Sequence, residues 1–319
     1  MVSLSKLEAE PLSRLPHIRF RLTREADIGA FLRRHLAGLD LGKLGNILQG
    51  AQILSAPTPL EGVKQWIDQA FGRFKTRCNE RKCQIPEKLG TLEVAFVIDG
   101  KIEPHRANDQ FLNRLFPSMP HLSGWAPWLD SRFASLPPDR PYVIDDGWEA
   151  LLFEGKASLI GPHLDFWRME PAGRFYHLRG LEDDLARATS SNAPEPYTTL
   201  DFLLATLRVA EMIAIGMSFA LALGADAQTT SLPFGFRWRK LSGRVLACWV
   251  DPRRFFRAPA PAVQDEITTT VVVPLETPRT GIAPYVYDAT EPLFSLFGGM
   301  QFDKSVIEGI VQELVQRRL

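Results

Sequence analysis

Apolar positions recur at helical spacing over two long stretches of the chain and alternate with polar ones over several short stretches. In the first long stretch Leu60, Val63, Ile67, Ala70, Phe71, Phe74 and Cys78 share one face, with Lys64, Lys75, Arg81 and Lys82 mainly on the other. Thr58-Pro59-Leu60-Glu61 starts that helix in the capping-box manner, with Thr as cap, Pro at the first helical position and Glu at the third. The second long stretch follows Thr198-Thr199-Leu200-Asp201 and runs to about Leu223, with Gly224 as its stop. Its apolar residues cover nearly the whole circumference, the mark of a helix buried in the middle of a fold. Arg208 and Glu211, three apart, can pair on it.

Short strand-like segments are Thr91–Asp99, which is β-branched and closed by the turn dipeptide Asp99-Gly100, Tyr142–Ile144, Ala150–Phe153, Leu232–Trp238, Arg244–Val250 and Glu266–Pro274. An amphipathic helix over about Asp303–Arg318 closes the chain, and a further helix is expected from about Thr23, before the glycine-rich break Gly38–Gly50. The order of helices, strands, one central helix, strands and helix predicts an α+β fold rather than repeated βαβ units. Residues 1–88 read as a helical, modestly basic N-terminal region. Residues 89–319 read as a mixed domain with antiparallel strands around the buried central helix, an accessory or sensing domain.

The densest chemistry lies in His163–Leu185, HLDFWRMEPAGRFYHLRGLEDDL, two short strands about a Pro-Ala-Gly turn that run into an acidic segment. Phe166, Phe175 and Trp167 are expected to pack against the Arg208–Glu211 helix, leaving Asp165, Arg168, His177 and Arg179 to meet a binding partner. Glu182, Asp183 and Asp184 are expected to form a solvated or capping face at a helix N-terminus.

Composition narrows the class. The chain has 319 residues, 45% hydrophobic and 23% charged, with zero formal net charge. Nothing global therefore draws it to nucleic acid or acidic lipid. Met1–Arg106 carries 17 Lys and Arg against 12 Asp and Glu, so its N-terminal third is basic by five charges. Arg14, Arg19, Arg21, Arg24, Arg33 and Arg34 are the candidate phosphate contacts there, and alternation in His17–Leu22 puts Arg19 and Arg21 on one face of a strand. Three cysteines are too few for a disulfide framework and fit a reducing compartment. Met1–Arg14 has no apolar core and Met212–Leu223 is too short to span a bilayer, so a cytoplasmic location with no membrane partner is expected.

Motifs give little. Cys78 and Cys83 lack the second ligand pair that a zinc site needs, and read as buried thiols. Gly216-Met217-Ser218-Phe219-Ala220 imitates a nucleophile elbow, but lies inside the most apolar helix. No phosphate loop, dinucleotide fingerprint or His-Glu-x-x-His occurs, so no cofactor and no metal are expected. Asp146 with Glu154 and Lys156 could hold a metal ion and activate water against a phosphodiester, which makes a metal-dependent nuclease the alternative function.

Gly124–Asp130 (GWAPWLD), Trp148–Leu151, Asp165–Arg168, Gly173–Tyr176, Leu181–Asp184 and Arg208–Glu211 carry a resemblance. From about Trp125 to Leu319 the chain resembles the C-terminal region of bacterial AlbA-type (Schlafen-like) DNA-binding proteins, without their DNA-binding module. The resemblance implies a recurrent accessory or sensing module of a bacterial defence or regulatory system. The function expected is a non-enzymatic binding or regulatory module, with a protein partner foremost, a ligand or nucleic acid as other targets, and Asp165, Arg168, His177, Arg179, Arg19 and Arg21 as contacts.

Overall fold

The computed structural model describes residues 58–120, 122, 131–134, 136–154, 163–188, 190–254, 256, 258 and 260–316. The expected helix after Thr23, the Arg19–Arg21 strand and all six N-terminal arginines lie outside these residues. So do Trp125 and Trp128.

A seven-stranded antiparallel sheet organises the fold, in the order β2-β3-β4-β5-β1-β7-β9. Its strands are β1 (Thr91–Val97), β2 (Tyr142–Ile144), β3 (Gly147–Glu154), β4 (His163–Glu170), β5 (Arg174–Gly180), β7 (Ser231–Arg239) and β9 (Glu266–Pro274). A separate parallel pair joins β6 (Thr199–Asp201) to β8 (Val245–Ala247). The helices are α1 (Pro59–Glu80), α2 (Asp109–Leu115), the single turn α3 (Glu182–Leu185), α4 (Phe202–Ala222), α5 (Ala283–Ser295) and α6 (Lys304–Val315).

Both faces of the sheet are covered, and this decides where every strand side chain goes. Strand alternation sends Leu92, Val94, Phe96, Trp167, Met169, Phe175, Phe234 and Phe236 into a core shared with α2, α4, α5 and α6. The intervening positions Ala95, Leu151, Leu164, Phe166, Tyr176 and Leu178 enter a second core under α1. Helix α1 buries Val63, Trp66, Ile67, Ala70, Phe74 and Cys78 there. It therefore belongs with the sheet, and the compact unit begins at Pro59 rather than at residue 89.

Helix α4 is the predicted central helix, and 18 of its residues are buried. Asp201 caps it, its carboxylate accepting from the Leu204 amide at 2.9 Å, and Gly224 ends it at a φ of +78°. The helix lies close against the sheet at Gly216, where an added Cβ would fall 2.5 Å from the Phe234 ring. Phe219 meets Phe96 edge-on at 5.2 Å and Phe175 at 5.9 Å.

Phe175 and Trp167 thus join the α4 core as expected. Phe166 does not. It is one position from Trp167 on the same strand, so it faces the opposite way and packs on Phe74 of α1, at 5.6 Å between ring centroids.

Candidate functional site

The β4–β5 hairpin holds its charged groups on both faces, and both faces are interior. In register, Asp165 lies opposite Arg179, Trp167 opposite His177, Arg168 opposite Tyr176, and Glu170 opposite Arg174. All eight residues of β4 are buried. Asp165, Arg168, His177 and Arg179 are each no more than 5% exposed, so they are not the solvent-facing contacts that their polarity suggested. They lie on both faces of the sheet, and both faces are covered.

On the α4 face, Asp165 accepts from Arg179 Nε at 2.8 Å and stands 3.0 Å from His177 Nε2. Burial pushes the Asp165 carboxyl up, but the Arg179 guanidinium and the His177 ring outweigh it and hold it at about 2. Burial lowers His177, against the opposing hydrogen bond with Asp165. The cluster continues through Glu182 to Arg208 at 2.7 Å and from Arg208 to Glu211 at 2.6 Å, the helical pair expected from their spacing.

On the α1 face, Glu149 takes Arg168 at 2.9 Å, Arg73 at 2.7 Å and the Tyr142 hydroxyl. Burial raises its carboxyl, but these three donors pull it below the ordinary value. Glu170 accepts from Arg168 at 2.8 Å and from Arg174 Nε at 2.6 Å. Two strands away, Glu93 accepts from Arg237 at 2.6 Å and 3.0 Å, from Arg239 at 2.7 Å and from the Tyr176 hydroxyl at 2.7 Å. Trp66 of α1 donates to the Phe175 carbonyl at 2.9 Å, with the Arg174 guanidinium 4.5 Å above its ring.

A third cluster forms where the acidic run turns into α3. Asp184 and Arg244 make a two-pronged pair at 2.7 Å and 2.6 Å, and both residues are fully or nearly fully enclosed. Asp184 also accepts from the amides of Gly90 and Tyr197, each at 2.7 Å. Asp183 accepts from the Asp201 amide and from Trp249 Nε1, both at 2.8 Å. Asp201 accepts from the Trp249 and Val250 amides at 2.7 Å and 3.1 Å. The run is therefore not a solvated face: Asp183 and Asp184 stitch α3 to β6, β8 and the start of α4. Among the described residues no group of three or more His, Cys, Asp or Glu side chains is arranged to hold a metal ion.

Gly90 reports how tightly this cluster is built. A Cβ there would fall 2.6 Å from Arg244 Nη2 and 2.5 Å from Leu181. Gly90→Ala is expected to push the guanidinium off Asp184 and cost about 1–3 kcal/mol, the usual range for an overpacked interior. Urea denaturation of the variant beside the parent measures it, and a change below about 0.5 kcal/mol would mean that the pair tolerates displacement.

Among the described residues the cavities beside the hairpin are small. Two cavities lie between the sheet and α4. One is lined by Leu92, Arg179, Glu182, Arg208 and Trp238, the other by Val94, His177, Arg179, Glu211 and Met212. Each is about the size of one water molecule. Ser218 sits within α4 and accepts from Arg279 Nη2 at 2.9 Å, with no strand-to-helix turn to expose it.

The nuclease arrangement does not assemble. Asp145 and Asp146 form the left-handed two-residue turn that joins β2 to β3, with φ of 48° and 58°. Glu154 ends β3, eight positions after Asp146, which puts their backbones about 26 Å apart at strand rise. Lys156 lies outside the described residues.

Among the described residues one helix, Phe202–Ala222, has the length and hydropathy to cross a membrane, and 89% of its most apolar window is buried inside the fold. Comparison with family models, with curated proteins and with solved structures returns no match.

The sequence reading missed Glu93, Glu149 and Arg244, whose buried pairs hold the sheet and its α3 flank together. Two of them face an arginine across the sheet, a pairing that only the strand order reveals. Glu93 is directly opposite Arg237 and Glu149 directly opposite Arg168, so acid and arginine sit at paired registers of neighbouring strands.

Proposed function

We propose that the chain is a non-enzymatic binding module that docks a protein partner through the open edge of β9. The supporting observation is that nine-residue edge. Among the described residues β9 pairs only with β7, which leaves its other side a row of backbone donors and acceptors. Its sequence EITTTVVVP carries one charge, Glu266, and that is held by Arg239 at 2.9 Å. Thr268 and Val272 are exposed on it, Val272 to 38%. It lacks the lysines and short length that commonly protect an edge, and an extended peptide can add to it as a further strand.

The interior supports the same reading. Among the described residues its charged groups pair with one another, and the two cavities between the sheet and α4 each admit about one water. The resemblance of Trp125–Leu319 to an accessory or sensing region agrees with a module that recognises rather than converts.

The test is an affinity pull-down with the intact chain, run beside a Thr268→Lys/Val272→Lys variant. Both positions are exposed, so the fold is expected to survive, while recovery of a stable partner falls at least tenfold. Undiminished recovery by the variant would overturn the β9 edge as the docking site. Gel shifts at several salt concentrations serve as the second arm: binding to DNA or RNA that weakens steeply with salt would replace the protein partner by nucleic acid.

A further inference from the structure

The C-terminus of α1 ends in a complete Schellman motif. The Cys83 amide donates to the Cys78 carbonyl at 2.9 Å, and the Lys82 amide to the Asn79 carbonyl at 3.1 Å. Lys82 occupies the left-handed position, with a φ of 52°. In this turn the side chains three residues before the cap and two after it come together, usually as an apolar contact. Here those two side chains are both thiols, Cys78 buried and Cys83 partly exposed. Both belong to the core under α1, where Cys83 packs against the buried cluster that contains Cys78. The third cysteine, Cys248, is buried and donates to the Asp251 carbonyl, so it stands outside the pair.

We infer that Cys78 and Cys83 are a paired modification site, which a small-molecule disulfide converts to an intramolecular Cys78–Cys83 disulfide. Cys83 is the accessible partner and reacts first. Its thiol gives up a proton, and the thiolate attacks one sulfur of oxidised glutathione, forming a mixed disulfide and releasing one glutathione. Cys78 then loses its proton and attacks the Cys83 sulfur, expelling the second glutathione. Two protein thiols are oxidised and one glutathione disulfide is reduced to two thiols, so atoms and electrons balance.

Burial, then the neighbouring Cys83, pushes the Cys78 thiol up to about 12. The thiolate is the nucleophile, so the closing step is the slow one and is expected to speed up about tenfold per pH unit near neutrality. The ring so closed spans the end of α1 and the left-handed Lys82. Its consequence is local: it pins the exit of the helix where the chain turns towards β1.

The test uses the full-length chain, reduced, desalted and exposed to oxidised glutathione. Remaining thiols are then alkylated under denaturing conditions and the protein digested with trypsin. Cleavage after Arg77, Arg81 and Lys82 leaves Cys78 and Cys83 on separate peptides, so a linked Cys78–Arg81/Cys83–Lys88 pair identifies the bond. The expected result is that linked pair, with Cys248 alkylated and no glutathione retained. Alkylation of all three thiols would overturn the inference, as would glutathione left on Cys83 beside an alkylated Cys78. In Cys78→Ser the mixed disulfide is expected to accumulate on Cys83, and its failure to appear would remove Cys83 as the first nucleophile.

Discussion

Glu93→Ala is expected to destabilise the protein by about 3–5 kcal/mol, the cost of removing one partner from a buried charge network. Glu93 has no exposed surface, and its two oxygens serve Arg237, Arg239 and the Tyr176 hydroxyl. With the carboxylate gone, Arg237 keeps the exposed Asp68 at 2.6 Å and the Phe71 ring, and the Tyr176 hydroxyl loses the acceptor that it donates to. Asp68 supplies the internal control. It touches the same guanidinium, but its side chain is 73% exposed, so Asp68→Ala is expected to cost about 0–1 kcal/mol. Urea denaturation of both variants makes the comparison. Losses within 1 kcal/mol of each other would mean that the buried carboxylate holds nothing together that the exposed one does not.

That contrast explains how the chain conceals its buried charge. Periodicity revealed the elements built on a single rule. Helix α1 showed one apolar face, α4 was apolar all round, and Glu266–Pro274 read as a strand and is one. Asp201 and Gly224 delimited α4 correctly because caps are local chemistry. Helix α5 escaped because Pro284 and Pro292 interrupt it. The first proline sits in its opening turn, where the missing amide costs nothing, and the second is carried in its interior. Helix α2 escaped because seven residues are too few for a period to register.

The candidate site was legible as a place but not as an orientation. His163–Leu185 is the chemically rich hairpin that it promised to be, yet polar residues on a strand are read by default as facing water. A sheet covered on both faces removes that default. Asp165 with Arg179, Glu170 with Arg174, Glu149 with Arg168, Glu93 with Arg237, and Glu266 with Arg239 are all directly opposed across neighbouring strands. Slipping the strands of Glu93, Glu149 or Asp165 by one residue would turn the acid away from its buried arginine, Arg237, Arg168 or Arg179. The pairs thus specify register, a role that hydrophobic alternation cannot fill when both faces are apolar. Which strands are neighbours is a tertiary fact, and a single sequence does not contain it in readable form.

Raising the pH from about 6.5 to 8 is expected to weaken the fold, and Asp183→Asn to remove most of that dependence. Asp183 is 2% exposed and lies beside Asp201, while Arg244 is engaged by Asp184. Burial first, and then the Asp201 charge, push its carboxyl up to about 8. An aspartate in the unfolded chain titrates near 3.8, so between these values the folded state carries a proton that the unfolded state does not. The stability that this proton contributes is complete below the unfolded value and is lost as pH rises through the folded one, by about 1.4 kcal/mol per pH unit. His177 opposes the slope at lower pH. Its folded value is depressed, so its share is present above about 6.5 and lost below. Asp165, held at about 2, loses its own share only in acid. The interval above 6.5 is thus where Asp183 dominates. Asparagine matches the protonated acid in shape, and its carbonyl oxygen can still accept from the Asp201 amide and from Trp249. The variant should therefore keep the fold and be the more stable protein at pH 8. Thermal melts of both proteins from pH 6 to 9 decide it. Parallel curves would mean that Asp183 is ionised in the fold, and that the amide of Asp201 and the indole of Trp249 suffice to hold a buried negative charge.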